Sequence, residues 1–308
     1  MIRGVEAEAL VSASLVTAGD FVGEVIGHEA SQLLRFHSLA RQGIDPEGVH
    51  QLRVAARRLR SELELLQGII DLTWRDAVSD NLAWIGAVLG ERRDFDILVA
   101  LLNELATTDT SLDRSIIARA QSKRDRASKK VERTLGRARY RALLVTLTKA
   151  TFAPPLRNPD VDVRRSMINE LRPSWDNLRR ASEDATGDAM NLHRLRIVVK
   201  RARYATEIAS PFLDDNARAI TQRLARVQDE LGQLHDDFVT SAFVEAWYDS
   251  PRAARGVDPF DAKSAWLKAI AQRSEHRRDH WRAPLVEAMI LIDDASSGSS
   301  YSEWTDGE

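Results

Sequence analysis

Cysteine is absent from the 308-residue chain. This excludes disulfides, thiolate nucleophiles and thiolate-held zinc, and it is compatible with a reducing compartment. Proline and glycine are sparse, at 9 and 15 residues, so the chain carries few obligatory breaks. No run of about 18 apolar residues occurs, and no membrane span is expected. Glu6 and Glu8 stand where a secretory leader needs positive charge, so the cytoplasm is the expected location. A net charge of either sign is also missing: 44 Lys+Arg oppose 46 Asp+Glu, a formal balance of −2. That rules out a uniformly basic nucleic-acid coat, and any polyanion site must come from uneven placement of charge. No HExxH zinc signature, phosphate-binding GxxxxGK[ST] loop, general acid and base pair or base-activated nucleophile is found. No catalytic residue, metal or cofactor is therefore expected.

Apolar residues make up 44% of the chain, enough for a sizeable core. They recur at three-to-four spacing, without a sustained alternation of period two, so the expected class is all-α. The spacing predicts helices over about 20–41, 46–70, 74–105, 112–151, 162–182, 189–213, 215–248 and 261–292. Asp45-Pro46 and Thr73 read as helix starts. Pro154, Pro155 and Pro159 mark a linker. The expected organisation is an N-terminal segment 1–18, a first helical bundle 19–153, a linker 154–160, a second bundle 161–293, and a disordered acidic Ser/Gly-rich tail 294–308.

An internal repeat is the most informative feature. VHQLRVAARRLR, from Val49, aligns with LHRLRIVVKRAR, from Leu192. His50, Arg53, Arg57, Arg58 and Arg60 then pair with His193, Arg196, Lys200, Arg201 and Arg203. Further on, Gly90 and Asp94 match Gly232 and Asp236, and Tyr140 loosely matches Trp281. Three markers in one order at nearly one offset argue for two copies of a four-helix unit packed with pseudo-two-fold symmetry.

On a helical wheel, His50, Arg53, Arg57 and Arg60 share one strip opposite Leu52, Ala55, Ala56 and Leu59, while Arg58 falls off it. His193, Arg196, Lys200 and Arg203 repeat the strip. A solvated amphipathic face would explain one such strip. Like charges at i,i+3 and i,i+4 cost a few tenths of a kcal/mol per pair, however, and the costly pattern occurs twice. This points to an external anion. A third strip runs through Arg119, Lys123, Arg126, Lys130, Arg133, Arg137 and Arg141, about 33 Å along one long helix. Its second-half counterpart keeps Lys268, Arg278 and Arg282, with Glu275 intruding.

Arginine offers planar bidentate donation to phosphate oxygens, and lysine adds a point charge. The strips contain almost no aromatics, which disfavours single-strand nucleic-acid binding and favours a ligand made of phosphate alone. Two other classes stay open: a general polyanion or DNA binder with steep salt dependence, and a helical adaptor whose binding survives neutralisation of the strips. Asp94 and Asp236 are expected either to brace nearby arginines through salt bridges or to serve as a helix cap or surface acid.

The two histidine elements, with LGxxRDxD (Leu89, Gly90, Arg93, Asp94, Asp96), LGxxHD (Leu231, Gly232, His235, Asp236) and ARYRALL, resemble the CHAD domain, the conserved histidine α-helical domain. The resemblance spans about 19–292. It implies two four-helix bundles around a basic groove that binds inorganic polyphosphate, often on polyphosphate granules. On the residues themselves, no enzymatic activity and no membrane contact are expected, nucleic acid is expected to bind only non-specifically if at all, and the oligomeric state stays open. A weak phosphohydrolase or phosphotransferase accessory role is the alternative. The groove residues so implied are His50, Arg53, Arg57, Arg58, Arg60, Arg126, Lys130, Arg133, Arg137, Arg141, His193, Arg196, Lys200, Arg201, Arg203, Arg278 and Arg282. Arg93, Asp94, His235 and Asp236 support them. Lys200 for arginine, His235 for Arg93 and the intruding Glu275 depart from the first copy and leave open whether the second half contributes equally to binding.

Overall fold

A computed structural model describes residues 17–106, 111–185, 188–213, 216–250 and 259–297. The fold is all-α, in the order α1 (Ala18–Gln42), α2 (Pro46–Leu65), α3 (Leu72–Leu105), α4 (Ser111–Leu135), α5 (Ala138–Phe152), α6 (Val163–Glu183), α7 (Ala189–Ala209), α8 (Asn216–Tyr248), α9 (Pro259–Arg277) and α10 (Arg282–Ser297). No strand occurs among the described residues; an isolated bridge joins Ile70 to Leu156. Asp71 N–H donates to Pro155 O, and Arg157 N–H to Ile69 O, each at 2.8 Å. The proline-rich linker is thus tied to the turn between α2 and α3.

Capping explains where the helices begin. Asp45 accepts from Glu47 N–H, with Pro46 pre-set for the first turn, and Asp188 accepts from Met190 and Asn191 N–H. These caps hold equivalent places in the repeat, so both histidine helices start in the same register. The third helix begins at Asp71, which caps Trp74 N–H, rather than at Thr73. Gly43 lies at φ 69°, a left-handed stop that lets α1 turn directly into α2.

Two expected long helices are broken. The span 112–151 divides at Gly136-Arg137 into α4 and α5, and 261–292 divides after Arg277 into α9 and α10. Among the described residues, each half therefore holds five α-helices rather than four. α5 folds back on α1, and Gly23 makes this possible: a β-carbon there would lie 2.6 Å from Thr151 O. Residues 294–297, expected in the tail, belong instead to α10. The rest of that tail, and residues 1–16, lie outside the described residues.

The packing order α1–α2–α3–α4, with α5 on α1, recurs as α6–α7–α8–α9, with α10 on α8 and α6. The halves meet through like elements, α2 on α7 and α3 on α8. Arg58 of α2 pairs with Glu207 of α7, and Arg201 of α7 pairs with Glu64 of α2. Arg58 and Arg201 are repeat equivalents, and so are Glu64 and Glu207. Such reciprocity is what an approximate two-fold axis between α2 and α7 produces.

The main core runs through both halves without a gap at the linker, from Leu52, Leu59 and Leu63 to Leu195, Val199 and Ala202. A second cluster, around Leu102, Ile116, Val244, Trp266 and Ile270, joins α3 and α4 to α8 and α9. Each such buried side chain contributes roughly 1.5–3 kcal/mol. Trp266 Nε1–H also donates to Asp113 across the halves, at 2.8 Å. The halves are thus held by a histidine-helix contact and by this apolar cluster.

Candidate anion-binding site

The cationic strips face each other because α2 and α7 each bury their apolar side and pack together beside it. Arg53 and Arg57 on α2, and Arg196 and Lys200 on α7, are half-buried; Arg60 and His193 are exposed at the rim. Burial pushes the Lys200 ammonium down to about 8, with further lowering by Arg57, Arg196, Arg53 and Arg60. Three of these arginines belong to the opposite half. Burial likewise lowers Arg53, with Arg57, Arg196 and Arg93 adding to the effect against Asp94. Burial lowers Arg196, where Asp236 opposes and Arg57 adds. One shared cluster therefore replaces two separate strips.

Direct ion pairing, the usual neutralisation in such a cluster, does not occur. Among the described residues, Arg53, Arg57, Arg60, Arg93, Arg196 and Lys200 make no ion pair within 4.0 Å. The shielded Nε–H groups of Arg57 and Arg196, and Nδ1 of His50, have no hydrogen-bond partner. Half-buried cations that repel each other and keep unspent donors are costly in the free protein, and a multivalent anion would remove that cost.

Asp94 and Asp236 do not brace arginines by direct salt bridges, because neither forms an ion pair within 4.0 Å among the described residues. They act through space. Burial lifts the Asp236 carboxyl to about 6, with Arg196 opposing and Asp94 adding. The two acids therefore lie near each other where the halves meet. Burial also lowers His50, helped by Arg93, and lowers His235, helped by Arg196 and His193. The His193 and His235 rings lie 5.6 Å apart.

Gly90 has a specific task. A β-carbon there would lie 3.3 Å from Arg53 Nε, so the guanidinium rests on bare backbone. At Gly232, the repeat equivalent, a β-carbon would meet nothing within 4 Å. The glycine thus makes room for a side chain and is not needed for close helix approach.

Several expected site residues turn elsewhere. Arg58 faces Glu29, Glu62 and Glu207. Burial alone would lower it, but Glu207, Glu62 and Glu29 together raise it, so its charge is spent internally. Arg203 pairs with Glu207 at 2.9 Å, and exposed Arg201 with Glu64 at 3.4 Å. Lys130 pairs with Glu91 at 2.6 Å, and Arg133 donates to the Lys129 carbonyl. Arg137 is the N-cap residue of α5, and Arg126 and Arg141 are exposed. The break at Gly136 splits the third strip between two helices. Arg278 pairs with Glu275, and Arg282 pairs with Asp279 while stacking on Trp281. Neither reaches the cluster through any contact seen here.

Sequence reasoning missed Tyr204 and Glu207. Tyr204 is 2% exposed, and Arg57, Arg58 and Arg203 lie 5.9, 5.6 and 5.7 Å from its ring centre. The signal available was the glutamate repeated at 64 and 207, at the offset of the histidines. Lys123, left out of the groove, lies over Phe95 and Phe243 at 5.6 and 6.0 Å and bridges the halves. No described group of three or more His, Asp or Glu could hold a metal. His276 and His280 do have HxxxH spacing, but their rings meet edge to face at 5.4 Å.

The family model for the CHAD domain matches residues 24–245. The chain belongs to the CHAD-domain family. Among solved structures, the CHAD domain from the plant Ricinus communis is 25% identical with a TM-score of 0.71, covering 88% of this chain and 92% of that one. PptA from Streptomyces chartreusis shares the fold at 20% identity and a TM-score of 0.63, covering 92% and 100%. No curated protein matches. The matched span includes both histidine helices and Asp94 and Asp236, and it ends before α9. No described helix is long and apolar enough to cross a membrane.

Proposed function

We propose that this CHAD domain binds inorganic polyphosphate, without turning it over, in the trough between α2, α3, α7 and α8. One observation carries the reading: cations from both halves converge beside each other, and none of Arg53, Arg57, Arg196 and Lys200 has a carboxylate within 4.0 Å among the described residues, Asp94 and Asp236 acting only from farther off. His50, Arg53, Arg57, Arg60, Arg93, His193, Arg196 and Lys200 form the walls. Arg126 and Lys123 on α4 extend them, since Lys123 and Lys130 rest on α3 at Phe95 and Glu91, either side of Arg93 and Asp94. Arg58, Arg201 and Arg203 hold the halves together instead.

A slim phosphate chain reaches half-buried guanidiniums between packed helices. A duplex presents its phosphates on a wide convex surface and does not. Linked contacts along one polymer multiply, so affinity rises with chain length while sites remain to be filled. Residence in the cytoplasm on polyphosphate granules follows if the trough engages granule polymer. The test is calorimetric titration of long-chain polyphosphate into wild type and Arg57→Glu/Arg196→Glu. The double variant should keep its helical circular dichroism and lose at least about 100-fold in affinity. Unchanged affinity in the folded variant contradicts the site. Displacement of polyphosphate by duplex DNA at equal phosphate concentration favours the general polyanion reading.

A further inference from the structure

The His193–His235 pair lies on a border. On α7, Arg196 and Lys200 are on one side of His193, and Met190 and Ile197 are on the other. On α8, Leu234 and Phe238 flank His235 on the side away from Asp236 and Gly232. Met190, Ile197 and Phe238 are 67%, 39% and 59% exposed. α7 and α8 pack side by side. The ring contact fixes their register, so Met190 and Phe238 both lie one turn, about 5 Å, beyond the histidines toward the same end. Arg194 borders this shelf, with Nη2 3.9 Å from Met190 Sδ.

Among the described residues, the first half has no such shelf. The equivalents of Leu234 and Phe238 are Arg92 and Asp96, a pair joined at 2.9 Å with side chains 4% and 6% exposed. Met190 corresponds to exposed Glu47. Among the described residues, an exposed apolar step therefore borders the cation cluster on the side of the second half and not on the side of the first.

We propose that this side of the trough binds nucleoside polyphosphates, with the phosphates among His193, Arg196 and Lys200 and the base on Phe238 and Met190. The inference rests on the trough being a phosphate site, and it adds a second ligand class. Charge complementarity places the phosphates, since Arg196 and Lys200 have no ion-pair partner. One helical turn separates the imidazoles from Phe238, roughly the length of a ribose. An exposed ring takes the face of any base, so the site should not discriminate strongly among nucleobases.

The test compares ATP with inorganic tripolyphosphate by calorimetry on the full chain, in chelator to remove divalent cations. ATP should bind at least about 10-fold more tightly, because base stacking adds to the shared phosphate contacts. Phe238→Ala/Met190→Ala should abolish that advantage and leave tripolyphosphate and long-chain polyphosphate unchanged; both side chains are exposed, so the fold survives. Equal or weaker binding of ATP overturns the proposal, and this is also the result if the shelf serves a protein partner. Equal loss of both ligands in the variant overturns it too. If neither polyphosphate nor ATP binds, the phosphate reading itself fails. Binding of polyphosphate without an ATP advantage defeats the shelf alone.

Discussion

The two histidine helices share a register, a capping aspartate and a strip of cations, yet the halves around them are built differently. In the first, Arg93 adds a permanent charge beside His50, Arg53 lies on Gly90, and Arg92 and Asp96 form a shielded pair. In the second, His235 replaces Arg93, the space at Gly232 is open, and Leu234 and Phe238 replace the pair. Arg58 is embedded among three carboxylates, whereas Arg201 meets one on the surface. The first copy thus supplies fixed charge and rigidity. The second supplies titratable charge and an uncovered apolar step.

The largest difference is expected in stability. Arg58→Ala removes the counter-charge shared by Glu29, Glu62 and Glu207 and should cost roughly 3–5 kcal/mol. Its equivalent, Arg201→Ala, should cost below about 1 kcal/mol, because that pair is solvated. Denaturant midpoints of the two variants measure the contrast. Equal losses would mean that the two contacts between the halves are energetically alike.

The pH dependence comes next. Bound phosphate favours the charged forms of His50, His235 and Lys200, so binding takes up protons. Both histidines sit below the ordinary imidazole range, and Lys200 sits at about 8. Asp236, at about 6, gains its repelling charge as pH rises. All four push the same way, so polyphosphate affinity should fall as pH rises from 5.5 to 8.5, by about 10-fold in total. His235→Arg installs the first half's residue and should flatten the acidic part of that fall, while Arg93→His should steepen it. An unchanged profile in both variants would remove the distinction between a fixed and a titratable mouth.

The smallest effect concerns the glycines. Gly90→Ala crowds the Arg53 guanidinium and should weaken polyphosphate binding by about 3-fold. Gly232→Ala meets open space, so affinity should hold while helix propensity adds up to about 1 kcal/mol of stability. Equal effects on binding would mean that the placement of Arg53 on Gly90 does not matter.

Much of this was legible in the sequence, and the reasons are local. Periodicity gives the helices, and Asp45 with Pro46 gives the start of α2, because capping and wheel position depend on neighbours a few residues apart. The repeat brings the two histidine strips into equivalent places, and the packing of α2 on α7 then sets their cations beside each other. What local pattern does not hold is which cation finds a carboxylate. Arg58 is spent on Glu29 and Glu207, far away in sequence, while Arg57 beside it stays unneutralised. The break at Gly136 was also hidden, because its flanks continue the helical periodicity and only the return of α5 onto α1 requires a turn. The apolar shelf escaped notice because Phe238 lies outside the strips and becomes their neighbour only through the packing of α8 on α7.

Affinity for polyphosphates of graded length, measured across a salt series, tests the shared trough most directly. Binding should strengthen with length and then level off once the chain spans both histidine helices. The salt slope should level off at the same length, as the number of neutralised phosphates becomes fixed. Affinity and salt slope that keep rising in proportion to length, with no plateau, would mean that the cations act as an open surface, contradicting a common trough.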